Sequence, residues 1–225
     1  MRITKKNISI ITTTRTGSSY LAHLLNYTTR FNKDIWLEEL HLLETAPYKK
    51  FKRNVIQLIS TEGGVIKDCV DWLWLINSKH HNRSKLFKRY IKFLRSTYMI
   101  KLVRDDEFER ILSHCISEID DVWHITEPLE NRKIEISPIR FEYQYRIQLR
   151  KIEYTNKLFP NVDQVVNYKD LTFDPTIDIK LFPGLQLIND YKPKTIEMNP
   201  NKIDVVTNYQ ELLELFNRLE LGKIR

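Results

Sequence analysis

The chain has 225 residues, enough for one well-buried core and short for two domains, and its 42% hydrophobic and 29% charged residues exclude a disordered polymer. With 36 Lys and Arg against 29 Asp and Glu, the formal charge of +7 favours anionic partners, from nucleotides to acidic polysaccharides and nucleic acid, without choosing among them. The two cysteines, Cys69 and Cys115, support neither a disulfide framework nor a four-cysteine metal site, and their apolar surroundings predict core packing.

No apolar run reaches the roughly 18 residues that a membrane helix needs. The stretch 7–19 is too polar and too Thr-rich for a signal-peptide core. The expectation is a single domain over 1–225, cytoplasmic, with no membrane span.

In chain order, Asn7 to Thr13 reads as a buried strand, with Ile8, Ile10 and Ile11 followed by β-branched threonines. Ser18 to Asn26 reads as a helix with Leu21, Leu24 and Leu25 at helical spacing. Val65 to Lys67 is a short strand after a Gly pair. Lys85 to Ser96 is a basic amphipathic helix, and Tyr98 to Val103 a second clear strand. Phe108, Ile111, Leu112, Cys115, Ile116 and Ile119 mark one face of the next helix. Ile139 to Leu158 is a long polar-aromatic helix, Val162 to Asn167 a third long strand, and Thr207 to Leu219 a closing helix with Thr207 and Gln210 spaced as a capping box. Strands alternating with helices predict an α/β fold of three layers, a mostly parallel central sheet flanked by helices. In such sheets ligands bind at the carboxyl ends of the strands.

Two of those ends carry informative residues. After the first strand comes Arg15-Thr16-Gly17-Ser18-Ser19-Tyr20-Leu21 and then a helix. A tight turn with glycine, hydroxyls and an arginine at a helix start suits an anion, because the first N–H groups and the helix dipole point at it. An ordinary N-capped helix gives the same pattern. The Gly-Lys-[Ser/Thr] ending of a nucleotide kinase loop is absent, which counts against metal-dependent NTP chemistry. At the second end, Lys101-Leu102-Val103 leads into Arg104-Asp105-Asp106 and a helix carrying Arg110 and Ser113. Arg104 either faces the same crevice as the first loop or pairs with Asp105 or Asp106.

The segment Arg15 to Leu21 resembles the 5′-phosphosulfate loop of sulfotransferases that use 3′-phosphoadenosine 5′-phosphosulfate (PAPS). Leu102-Val103-Arg104-Asp105, with Arg110-Ile111-Leu112-Ser113, resembles that family's 3′-phosphate segment. Asn167-Tyr168-Lys169-Asp170-Leu171 resembles its Tyr-Glu-Asp-Leu segment, with Lys169 in place of Glu. The three occur in the family's order.

The resemblance implies a P-loop NTPase-like fold and sulfuryl transfer from PAPS to a hydroxyl or amine of an acceptor, with PAP as product and no metal. It implies nucleotide binding by Arg15, Thr16, Gly17, Ser18, Ser19, Tyr20, Arg104 and Ser113. Arg110 is the alternative to Ser113, which stands nine positions after Arg104 where the family has about eight. Glu39, in Trp36-Leu37-Glu38-Glu39-Leu40-His41, fits the family's spacing for a catalytic base, with Glu38 and His41 as alternatives.

Lys67 is a candidate second cation at the sulfuryl group, or else an ion-pair partner of Asp68 or Asp71. Lys85, Lys88, Arg89, Lys92 and Arg95 form either a solvated helix face or a rim that attracts an anionic acceptor. His80, His81 and His114 have no metal-ligand spacing, so no metal is expected. Nucleic acid is not an expected partner. The rival reading from another class is a non-catalytic polyanion-binding module.

Overall fold

The computed structural model describes residues 7–13, 16–28, 53, 56, 63–69, 84–120, 133–188 and 202–223. Four strands form one parallel sheet: β1 (Ile8–Thr12), β2 (Val65–Cys69), β3 (Tyr98–Val103) and β4 (Gln164–Asn167), in the order β2-β1-β3-β4. Ile8 pairs with Val65 on one side and Tyr98 on the other, and Ile100 pairs with Gln164. All five residues of β1 are buried, as expected for a central parallel strand rich in β-branched residues.

Helices flank the sheet. α1 is Ser18–Asn26, α2 Ser84–Ser96, α3 Glu107–Asp120 and α4 Pro138–Leu158. Two short helices follow, α5 (Pro175–Asp178) and α6 (Lys202–Val205), and α7 (Tyr209–Lys223) closes the chain. Among the described residues no helix is long and apolar enough to cross a membrane.

The alternation of side chains along a strand assigns the sheet's two faces. Ile8, Ile10, Ile100 and Leu102 pack with Leu21, Leu24 and Leu25 of α1 and with Phe182. A second cluster joins Phe108, Ile111, Leu112 and Ile116 of α3 to Phe141 and Tyr145 of α4 and Leu212 of α7. Cys115 belongs to this second cluster. Burial, with the Glu118 carboxylate nearby, pushes its thiol up to about 12, so it packs as a small hydrophobe and is not a nucleophile at neutral pH.

The predicted elements reappear with small shifts at their ends, β4 starting at Gln164 and not Val162. The closing helix is the exception, because it begins at Tyr209 and Thr207 does not cap it. The Thr207 hydroxyl instead donates to the Ile134 carbonyl at 3.3 Å. Asn208, the residue before the helix, fastens Ile136 through both ends of its amide, 3.1 Å from the Ile136 N–H and 2.9 Å from its carbonyl. Tertiary pairing with residues 134–136 thus displaces the local capping box that the spacing suggested.

Strand order decides where a ligand can enter. From β1 the chain crosses to β2 on one side, and from β3 it crosses to β4 on the other. The switch lies between β1 and β3, and the crevice outside their carboxyl ends is the natural ligand site.

Candidate functional site

At the end of β1 the backbone turns through Gly17, whose φ of 76° is the left-handed region that an L side chain enters only at a cost. A methyl group there would also come within 3.1 Å of the Tyr168 ring. α1 starts directly after it, with no side-chain cap and no acidic residue in its first turn. The turn is braced from inside instead. The Thr12 and Thr16 hydroxyls bond each other, and the Thr16 hydroxyl lies 3.0 Å from the Thr13 carbonyl. Thr12 also reaches the Leu102 carbonyl of β3 at 3.3 Å. The helix thus starts from a left-handed glycine without an acidic side chain in its first turn, an arrangement that suits an anion.

Lys67 stands opposite Ile10 in register and so shares the face covered by α1. It is only 3% exposed, and its Nζ donates to Ser19 Oγ at 2.8 Å. A buried ammonium therefore sits behind the first turn of α1, adding positive charge where the helix dipole is already positive.

The end of β3 supplies the other cations. Arg104 lies over the Tyr168 ring, 4.3 Å from its centroid, in a cation–π contact. Tyr168 belongs to a 3₁₀ turn, Tyr168–Asp170, that directly follows β4. One aromatic ring thus lies beside both Gly17 and Arg104. Asp105 accepts hydrogen bonds from Asn167 and, at 3.1 Å, from Lys169. Those bonds hold its carboxyl below the usual carboxylate range. Asp106 accepts from the Glu109 N–H at 3.0 Å, at the start of α3.

A cavity of about 280 Å³ opens between β1, β3, α3 and α4. Thr12, Thr13, Lys101, Arg104, Asp105 and Arg110 are among its lining residues. Arg110 is 2% exposed, and its Nη1 donates to Gln148 Oε1 at 2.7 Å and to Thr13 Oγ1 at 3.5 Å.

Of the predicted residues, Gly17, Ser18 and Ser19 stand at the start of α1 with Lys67 bonded to Ser19, and Arg104 stands at the end of β3, with Tyr168 between it and Gly17. Thr16 and Tyr20 stand nearby in different roles. The Thr16 hydroxyl is spent inside the turn. The Tyr20 side chain is buried, and its hydroxyl donates to Asp178 Oδ2 at 2.7 Å, which leaves only the Tyr20 backbone for a ligand. Ser113 is buried and is not among the cavity's lining residues, whereas Arg110 is. Arg15, Glu38, Glu39 and His41 lie outside the described residues, as do Asp71, His80 and His81.

Sequence reasoning missed four contributors. Nothing local marks Tyr168, whose ring lies beside both Gly17 and Arg104. Asn156 lines the cavity, and Gln148 holds Arg110 there, from a helix whose polar residues gave no hint of their partners. Lys101 did carry a signal, a lone cation within the apolar strand Tyr98–Val103. Among the described residues no group of three His, Cys, Asp or Glu side chains is gathered as a metal site would be. In comparisons with known proteins, no family model matches the chain and no curated protein matches it.

Proposed function

We propose that the chain is a sulfotransferase, transferring a sulfuryl group from PAPS to a hydroxyl or amine of an acceptor and releasing PAP. The observation that carries this reading is the joining of two cationic strand ends through one ring, Gly17 against Tyr168 and Tyr168 beneath Arg104, across the switch point of a parallel sheet. A nucleotide with phosphate groups at both its 5′ and 3′ positions needs two anion sites at a fixed separation. The P-loop NTPase-like reading of the fold draws on the same features: β1 between β2 and β3, all parallel, with a glycine turn into α1.

The residues fit such a ligand. The uncapped start of α1 has no acidic residue to repel the 5′-phosphosulfate, and Ser18, Ser19 and the Lys67 ammonium stand at it. Arg104 and Arg110 line the cavity at the other strand end and suit a 3′-phosphate, for which a planar guanidinium is a good partner. The phosphosulfate linkage supplies the activated sulfuryl group. What the protein supplies is positioning and fixed positive charge where negative charge develops in the transition state. Arg15 and Lys67 are the proposed sources of that charge, and Glu39 the group that takes the acceptor proton, with Glu38 and His41 as alternatives. Exposed Lys88, Arg89 and Lys92 on α2 favour an acceptor that is itself anionic.

Incubation with PAPS and a panel of carbohydrate, lipid-headgroup and small-metabolite acceptors, read by mass spectrometry, tests the proposal. A mass gain of one sulfuryl group on an acceptor, with PAP formed in equal amount, is the expected outcome. No transfer to any acceptor, together with no affinity for PAP, would leave the polyanion-binding module as the better reading.

A further inference from the structure

The cavity between β3 and α4 holds a cation that the two-arginine site does not use. Lys101 stands opposite Ile11 in register, on the face of the sheet away from Lys67. Its Nζ donates to Asn156 Oδ1 at 2.6 Å, a neutral acceptor. Among the described residues no carboxylate forms an ion pair with it. Burial pushes its pKa below that of an ordinary lysine.

The charged groups lining the cavity with Lys101 are Arg104 and Asp105 beyond the end of its own strand, and Glu107 and Arg110 from α3. From β1 come Ile11, Thr12 and Thr13, from α4 Ile152, Thr155 and Asn156, all uncharged, and Val165 of β4 stands beside Lys101 in register. Asp105 is already engaged by Asn167 and Lys169. Three cations thus converge on a space large enough for a phosphate group, one of them with only an amide oxygen opposite its charge. Partly buried charge without a counter-ion is costly, and an entering anion would relieve that cost.

We infer that Lys101 is a third cationic ligand, beside Arg104 and Arg110, for a phosphate bound in this cavity, its ammonium exchanging Asn156 for the phosphate oxygens. Resting on the PAP reading, this makes Lys101 a determinant of preference for a nucleotide carrying a 3′-phosphate over one without it. The binding form is the protonated ammonium. Affinity therefore falls as pH rises through the lowered pKa of Lys101.

Calorimetry on the full chain, with PAP and adenosine 5′-phosphate as probes, decides the matter. Lys101→Met is expected to weaken PAP about 10- to 100-fold, the range for loss of a charge-assisted bond, and to leave adenosine 5′-phosphate unchanged. Lys101→Arg is expected to keep PAP affinity and abolish its alkaline decline, which a merely structural lysine would not do. Unchanged PAP affinity in Lys101→Met overturns the inference while leaving the nucleotide reading intact. If the wild type prefers neither nucleotide, that reading fails instead, and inorganic phosphate titrated by NMR settles the inference separately. Binding lost in Lys101→Met upholds it, and no binding in either protein overturns it.

Discussion

At the end of β1 the side chains that shape the turn come from one short stretch, Thr12 to Ser19, while at the end of β3 they come from far apart. Thr12, Thr13 and Thr16 brace the first turn among themselves, and Gly17 supplies its conformation. The second end depends on Arg110 meeting Gln148, Lys101 meeting Asn156, and Asp105 meeting Lys169. The first is a backbone device that hydroxyl chemistry stiffens. The second is a charge device assembled by tertiary packing, and a single mutation can unbalance it without touching the backbone. Tyr168 is the joint between them.

The largest expected effect bypasses both ends. Glu39→Gln should lower turnover about 10²- to 10⁴-fold and leave PAP affinity nearly intact, since only the proton acceptor is lost. Steady-state kinetics with calorimetry would show it. A severe defect in Glu38→Gln, or in His41→Ala, with a mild one in Glu39→Gln would move the base to that residue.

Next come the cations of the charge device. Arg104→Ala should weaken PAP by about 1.5–3 kcal/mol with the fold retained, because its side chain rests on a ring beside the crevice. Arg110→Ala should also cost stability, about 1.5–3 kcal/mol in urea unfolding, because the buried bond from Arg110 to Gln148 is lost. If both variants behaved alike, the division between a ligand arginine and a braced arginine would fail.

The backbone device should show a smaller but purely conformational effect. Gly17→Ala is expected to destabilise the fold by about 1–2 kcal/mol from the positive φ alone. Tyr168→Ala would remove the 3.1 Å contact, yet in the double variant the cost of φ should remain. Full recovery there would mean that the ring, and not the backbone, requires glycine.

Smallest of all is the exposed pair Lys169–Asp105. Lys169→Met should lower the melting temperature at neutral pH only slightly, since such surface pairs contribute little. The difference from the wild type should vanish at low pH. A carboxyl with a lowered folded pKa contributes stability above its unfolded value, near 3.8, and loses it as pH falls through the folded value. Lys169→Met should shrink that acid-side loss, seen in a pH series of melting curves.

The same comparison explains what the sequence revealed. β1, α1 and β3 were legible because their signals are local: alternation, helical spacing, and a glycine at a strand–helix junction. The start of α7 was not, because Asn208 is recruited by Ile136, more than 70 positions earlier, and no short-range pattern encodes that. Lys67 was legible as a cation near the site, but its bond to Ser19 needed the register of β2 against β1. That Arg110 and not Ser113 lines the cavity depends on which side of α3 faces it, a matter of helix packing and not of spacing.

The central claim, two anion sites spaced for one nucleotide with both 5′ and 3′ phosphates, is tested most directly by calorimetric titration of the wild-type chain with PAP and with ATP. The account predicts PAP binding in the micromolar range or tighter, about 8 kcal/mol, with ATP much weaker because it has no 3′-phosphate for Arg104 and Arg110. Equal affinity for the two, or no binding of PAP, would contradict it.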